Sequence, residues 1–169
     1  MSLPPDHAPA MLDDIDRRLI ALLRADGRIS NAALADAVGI APSTCLARVR
    51  SLRERGVITG FTAQVDHRAL GMGLQALIGV RIRAGARHQM ATFMEELAEA
   101  PHVVQVFFLG GDEDFLVHVA VRDSDHVRQF VLENLSAHPA VMGTRTSLVL
   151  DYRARDRSAE VGRAAPPAN

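Results

Sequence analysis

The apolar residues of this chain repeat at helical spacing through residues 11–56. Through residues 74–150 they form short strand-like runs that alternate with helices. A change of period means two differently built parts, because strand spacing and helix spacing present their apolar faces differently. The seam falls in residues 66–73, where Gly71 and Gly73 loosen the chain. The expected order is a flexible tail over 1–10, a helical domain over 11–60, a linker strand over 61–73, an α+β domain over 74–152 and a disordered tail over 153–169. No internal repeat is visible.

In the first part, Leu12, Ile15, Leu19, Leu22 and Leu23 share one helical face, with Asp13, Asp14 and Asp16 near the start where the helix dipole favours acids. Gly27 ends that helix. Ser30 suits an N-cap for a short helix carrying Leu34, Ala35 and Val38, which Gly39 stops. Pro42 fits the first turn of a third helix, which runs to Arg55 and ends at Gly56. Residues 57–61 then have β character, as the wing of a winged helix-turn-helix would.

In the second part, residues 76–83 read as a strand, followed by a helix with Met90, Phe93, Met94 and Leu97 on its core face. Residues 103–109 and 115–121 read as two strands around a Gly-containing hairpin loop. A second helix carries Val127, Phe130, Val131 and Leu135, Pro139 closes it, and residues 144–150 form the last strand. The order β-α-β-β-α-β is that of a ferredoxin-like split unit. The fold class is therefore α+β: a winged helix-turn-helix followed by a ferredoxin-like domain. Val80, Ile82, Val104, Val106, Val117 and Val119 are more apolar positions than one sheet face needs, so the free face is expected to be buried on a second copy.

A short helix, a Gly turn and a longer helix make a helix-turn-helix, whose second helix enters the major groove. Cys45, Val49 and Leu52 form its core stripe. At about 100° per residue, Ser43, Ala47 and Arg50 point away from that stripe, with Thr44 and Ser51 beside them. Ser43, Thr44, Ala47 and Arg50 are expected to face bases. Arg48 and Arg53 are expected to favour phosphate, Arg48 lying nearer the core edge, where bracing the domain is its other reading. Four arginines (48, 50, 53 and 55) stand against Glu54 alone on this stretch, although the whole chain carries a net charge of -1. Phosphate neutralisation supplies most non-specific affinity for DNA.

Several stretches in this order resemble the Lrp/AsnC (leucine-responsive, feast/famine) transcription regulators. They are residues 12–20, the Asp26-Gly27-Arg28-Ile29-Ser30 run, Leu34-Ala35, Val38-Gly39-Ile40, the run from Pro42 to Val49, and Leu52 through Gly60-Phe61. Both halves match, over roughly residues 11–150. The chain departs at Ala41, where the family usually has a Ser N-cap, a loss worth about 1 kcal/mol.

The loop Gly110-Gly111-Asp112-Glu113-Asp114 combines glycine amides suited to a carboxylate with acids suited to an ammonium, which together fit a zwitterion; its plainer reading is an acidic hairpin turn. Gly111 through Phe115 resembles the family's Gly-Asp-x-Asp-aromatic effector loop, and Thr144-x-Thr146 resembles its Thr-x-Thr stretch in the same pocket. The resemblance implies an amino-acid or related effector held by Gly111, Asp112, Asp114, Thr144 and Thr146 at a subunit interface, a RAM/ACT-like domain, and a homodimer that can stack to an octamer. Glu113 stands where the family commonly has an aromatic, a departure that bears on ligand identity.

One Cys excludes an internal disulfide and a multi-Cys metal site. Cys45 sits at a core position and reads as a small buried thiol, not a nucleophile. His102, His118 and His126 lack the spacing of a metal site. Gly71-Met72-Gly73 precedes a strand instead of following one, so it is no dinucleotide loop. No cofactor is expected. No apolar run reaches the ~20 residues of a membrane helix, and no signal-peptide pattern is present, so a cytoplasmic, nucleoid-associated DNA-binding regulator is expected. The rival readings are a metabolite-binding module without DNA binding and an enzyme on a ferredoxin-like scaffold.

Overall fold

The computed structural model describes residues 11–151, and the two expected tails, 1–10 and 153–169, lie outside the described residues. The chain divides into two compact units between Ala63 and Gln64.

The first unit holds three helices: α1 (Asp14–Ala25), α2 (Asn31–Val38) and α3 (Pro42–Glu54). Each starts as its sequence dictates. The Asp13 carboxylate caps α1 by accepting from the Asp16 amide at 2.7 Å, and Ser30 caps α2 by accepting from the Ala33 amide at 3.2 Å. Ala41 gives α3 no side-chain cap, and Pro42 instead removes one amide that would need a partner. The turn between α2 and α3 is built on Gly39 at φ +73°: the Gly39 amide donates to Asp36 O and the Ile40 amide to Ala35 O. The two helices meet at 100°, within the range of a helix-turn-helix. Leu19, Leu34, Ala35, Val38 and Cys45 form the core between them, with Ile15, Leu22, Leu23 and Val49 packed around it.

The expected wing strand at residues 57–61 and the linker strand at 61–73 are corrected: no ladder forms there among the described residues. The amides of Val57 and Ile58 both donate to Leu52 O, closing the end of α3 around Gly56 at φ +69°. Amides that close a helix are not available to a ladder. Further on, residues 66–71 fold into turns, with the Ala69 amide on Asp66 O and the Arg68 amide on the Asp66 carboxylate.

The second unit contains β1 (Leu74–Ile82), α4 (Met90–Glu99), β2 (Val103–Phe108), β3 (Phe115–Val121), α5 (Ser124–Phe130) and β4 (Val141–Val149). All neighbouring strands are antiparallel and the sheet order is β2-β3-β1-β4, the ferredoxin-like arrangement. Register places Ala76 opposite Val119, Ile78 opposite Val117 and Val80 opposite Phe115, so one face carries the core. Phe93, Leu97, Val127, Phe130 and Leu135 cover that face. α5 passes into a π-helical turn over Val131–Ser136, and its wider pitch carries both Phe130 and Leu135 into the core across five positions.

The residues expected to exceed the needs of one sheet face mostly fall together on the covered face. Val80, Ile82, Val117 and Val119 are all buried under the helices, and Val106 packs against the same cluster. The opposite face instead carries Leu77, Leu116, Phe107, His118 and Ala120, of which Phe107 is exposed. Alternation along β1 and β3 decides this, because residues two apart share a face.

His118 lies half-buried on that second face, its Nε2 2.9 Å from Gln75 Oε1. Burial, and then the neighbouring His67, hold its pKa below the ordinary histidine value. A histidine that resists protonation when folded supports the fold above its unfolded pKa of about 6.5 and stops doing so as pH falls. The second unit is therefore expected to lose thermal stability between pH 7 and pH 5, before carboxylates titrate. In His118→Gln that part of the slope should be absent; an unchanged melting profile would contradict the assignment.

Candidate DNA-binding and effector sites

α3 presents two contrasting sides. Cys45 and Leu52 are fully buried, which fixes how the helix is rolled on its neighbours. Ser43, Thr44, Ala47, Arg50 and Arg53 are all exposed on the remaining surface. The Arg50 side chain is 79% exposed and pairs with the Glu54 carboxylate one turn away, at 2.8 Å. Arg50, Arg53 and Glu54 line an open cleft of about 410 Å³ together with Ile58 and Thr59. Leu46, which sequence reasoning did not single out, is also exposed, 61%, at the front of α3. Its apolar character concealed it, although an exposed apolar residue on a helix that reads bases suits a thymine methyl.

Arg48 is placed differently from the other arginines. Its Nη1 donates to Asp13 Oδ2 at 2.7 Å and to Asp16 Oδ1 at 2.8 Å. Asp13 and Asp16 are on the first helix, so Arg48 is turned toward α1 and braces the unit.

Of the five expected effector residues, Gly111, Asp112 and Asp114 lie in the loop between β2 and β3, and Thr144 and Thr146 lie on β4. The Asp114 amide donates to Val80 O at 2.9 Å, and the Asp114 carboxylate accepts from the Ile82 amide at 2.7 Å, beside the bulge where β1 and β4 shift register. Thr144 is paired with Val80 and Thr146 with Ile78. Gly111 and Asp112 are exposed at the hairpin tip. Asp114 thus shapes the loop through one oxygen, with Arg87 3.9 Å from the other, whereas Asp112 faces solvent.

Glu113 does something the sequence did not announce. Its carboxylate lies over Gly79, in the space a Cβ there would occupy, and Arg145 Nη1 stands 3.7 Å from it. Gly79→Ala is therefore expected to expel Glu113 and break that pair. The blocked atoms are the far end of a flexible side chain, and the pair is long at 3.7 Å with Arg145 80% exposed, so stability should change by less than about 1 kcal/mol. A loss above about 3 kcal/mol on denaturant unfolding would mean that Glu113 cannot leave.

Among the described residues no three His, Cys, Asp or Glu side chains are grouped to hold a metal ion. No single described helix is long and apolar enough to cross a membrane.

Residues 12–59 match the family model for winged helix-turn-helix DNA binding, and residues 75–159 match that for the Lrp/AsnC ligand-binding domain. The chain belongs to the Lrp/AsnC family. It is 48% identical over 147 residues to the HTH-type transcriptional regulator AldR of Mycobacterium tuberculosis, covering 87% of this chain and 82% of that one. The crystal structure of that organism's AldR superposes with a TM-score of 0.72, covering 92% of this chain and all of the other. A transcriptional regulator of Neisseria meningitidis, solved as its L-Met complex, gives a TM-score of 0.75 at 32% identity, with 83% and 90% of the two chains covered. As a member of the Lrp/AsnC family the protein is a DNA-binding transcription regulator with a small-molecule-binding domain, and not an enzyme. The helix-turn-helix match removes the reading of a metabolite module without DNA binding.

Proposed function

We propose that this regulator reads a DNA operator through the exposed front of α3 and that an amino acid bound at the hairpin loop of the second unit modulates it. The carrying observation is the roll of α3: a buried Cys45-Leu52 stripe turns Ser43, Thr44, Leu46, Ala47 and Arg50 outward together. In this reading those five meet base edges and Arg53 meets phosphate. Gly111, Asp112, Asp114, Thr144 and Thr146 hold the effector, with Asp112 receiving its ammonium and the loop amides its carboxylate. The L-Met complex of the Neisseria regulator and the leucine-responsive name of the Rhizobium meliloti relative, 36% identical over 139 residues, support an amino acid.

The protein acts as at least a homodimer, and dimers can stack to octamers, in the cytoplasm on the nucleoid. The open sheet face, with Phe107 44% exposed beside half-buried Leu77 and Leu116, supports a second copy as its cover. A two-fold dimer also fits an operator of two half-sites.

The test is fluorescence anisotropy on duplex DNA from upstream of the protein's own gene, titrated across salt with each amino acid in turn, paired with light scattering. Binding should weaken linearly in log-log form, with a slope of about −0.9 per phosphate contacted, and at least one amino acid should shift it. Salt-independent binding would defeat the α3 reading. Indifference to every amino acid would defeat the effector reading, and a monomer would defeat the interface.

A further inference from the structure

We propose that Arg48 is a positioning residue for DNA recognition, hooking α3 to α1 through Asp13 and Asp16 so that the recognition helix keeps one roll angle, and that it contacts no phosphate. The inference rests on the reading of α3 as the recognition helix and adds what sets that helix's orientation.

α3 packs chiefly on α2 through its apolar stripe. That stripe decides which side of α3 faces outward, but apolar contact is non-directional and opposes small changes of roll only weakly. Three side-chain ties restrain α3, one of them at its C-cap, where Arg55 Nη2 donates to Met11 O at 2.8 Å. Asn31 Nδ2, on the first turn of α2, donates to Pro42 O at 2.9 Å and holds the front of α3. Arg48, midway along α3, reaches two carboxylates of α1. Arg48 and Arg53 flank the base-facing side, one turned to α1 and the other lining the cleft with Ile58 and Thr59. A roll toward either flank would carry Ser43, Ala47 and Arg50 off target. Base contacts tolerate about 0.5 Å and 10–20° of misplacement.

The α1 side of the hook is itself fixed. Asp13 is the N-cap of α1, with its other oxygen on the Asp16 amide. Asp16 is the only buried charged residue among the described residues. The Asp16 amide and then Arg48 hold the Asp13 carboxyl below its ordinary pKa, and Asp13 and then Asp16 hold the Arg48 guanidinium above its own. A DNA phosphate approaching Arg48 would meet two carboxylates on one arginine, a corner that repels anions.

This gives a test of opposite sign. On charge alone, Asp16→Ala removes an anion and should tighten every DNA complex. As a break in the hook, it should loosen operator binding about tenfold, the loss of one well-made base contact, while a scrambled duplex of equal length changes less than about twofold. Arg48→Ala should do the same with an unchanged salt slope, and the double variant should be no worse than the worse single. All are measured on the full chain below each variant's melting temperature. Asp16→Asn, which keeps the shape, is the readout if Asp16→Ala does not fold, and should move in the same direction. Operator affinity equal to wild type in the Asp16 variant would overturn the proposal. So would an Arg48→Ala loss that is equal on both duplexes and lowers the slope by about one. A wild-type chain with no operator preference would instead defeat the reading of α3 itself.

Discussion

Leu19→Ala is expected to unfold the first unit and abolish DNA binding. Leu19 is fully buried at the centre of the cluster made by Leu34, Ala35, Val38 and Cys45. Truncating a buried leucine costs about 2–5 kcal/mol, because the lost burial is joined by the cavity left behind. A unit of roughly fifty residues has only about 2.5–7.5 kcal/mol in total at 0.05–0.15 kcal/mol per residue, so the substitution removes most of it. Circular dichroism should show loss of helix signal at a lowered temperature, with operator binding lost in parallel. A variant that melts as the wild type does would mean that the helices are held by something other than this cluster.

Phe115→Ala should have the largest effect in the second unit, about 3–5 kcal/mol. Phe115 is fully buried and meets Phe93 and Phe108 edge-on, with ring centroids 5.6 and 5.4 Å away. It also begins β3 directly after the acidic hairpin loop and pairs with both Val80 and Phe108. Its loss therefore weakens the core and releases the end of the strand that positions Asp114. Denaturant unfolding should show the cost, and calorimetry should show effector binding weakened in step. Intact effector binding in a destabilised variant would separate the loop from the core beneath it.

The helix-turn-helix was legible because each boundary has a local chemical cause. Ser30 caps, Gly39 takes positive φ and Pro42 opens α3, whatever the rest of the chain does. The ferredoxin-like order was legible from period alone. What escaped was decided by partners distant in sequence. Residues 57–61 have the composition of a strand, but two of their amides are taken by Leu52 O. Alternation groups Val80 with Ile82 and Val117 with Val119, but that both groups share the helix-covered face is set by cross-strand register, invisible in a single strand. In the site, exposure of Arg50 followed from helix geometry. The capture of Arg48 by residues 32 and 35 positions away did not, nor did the fit of Glu113 over Gly79.

Paired arginine variants test most directly whether the outward face of α3 lies in the DNA groove. Operator affinity should be measured across salt for wild type, Arg50→Ala and Arg53→Ala, on the operator and on a set of single base changes. Arg50→Ala is expected to cost about 1–3 kcal/mol and to relax preference at one base position, whereas Arg53→Ala should weaken all duplexes alike and reduce the salt slope by about one. If both variants bind every duplex as wild type does, with the same slope, α3 does not face DNA.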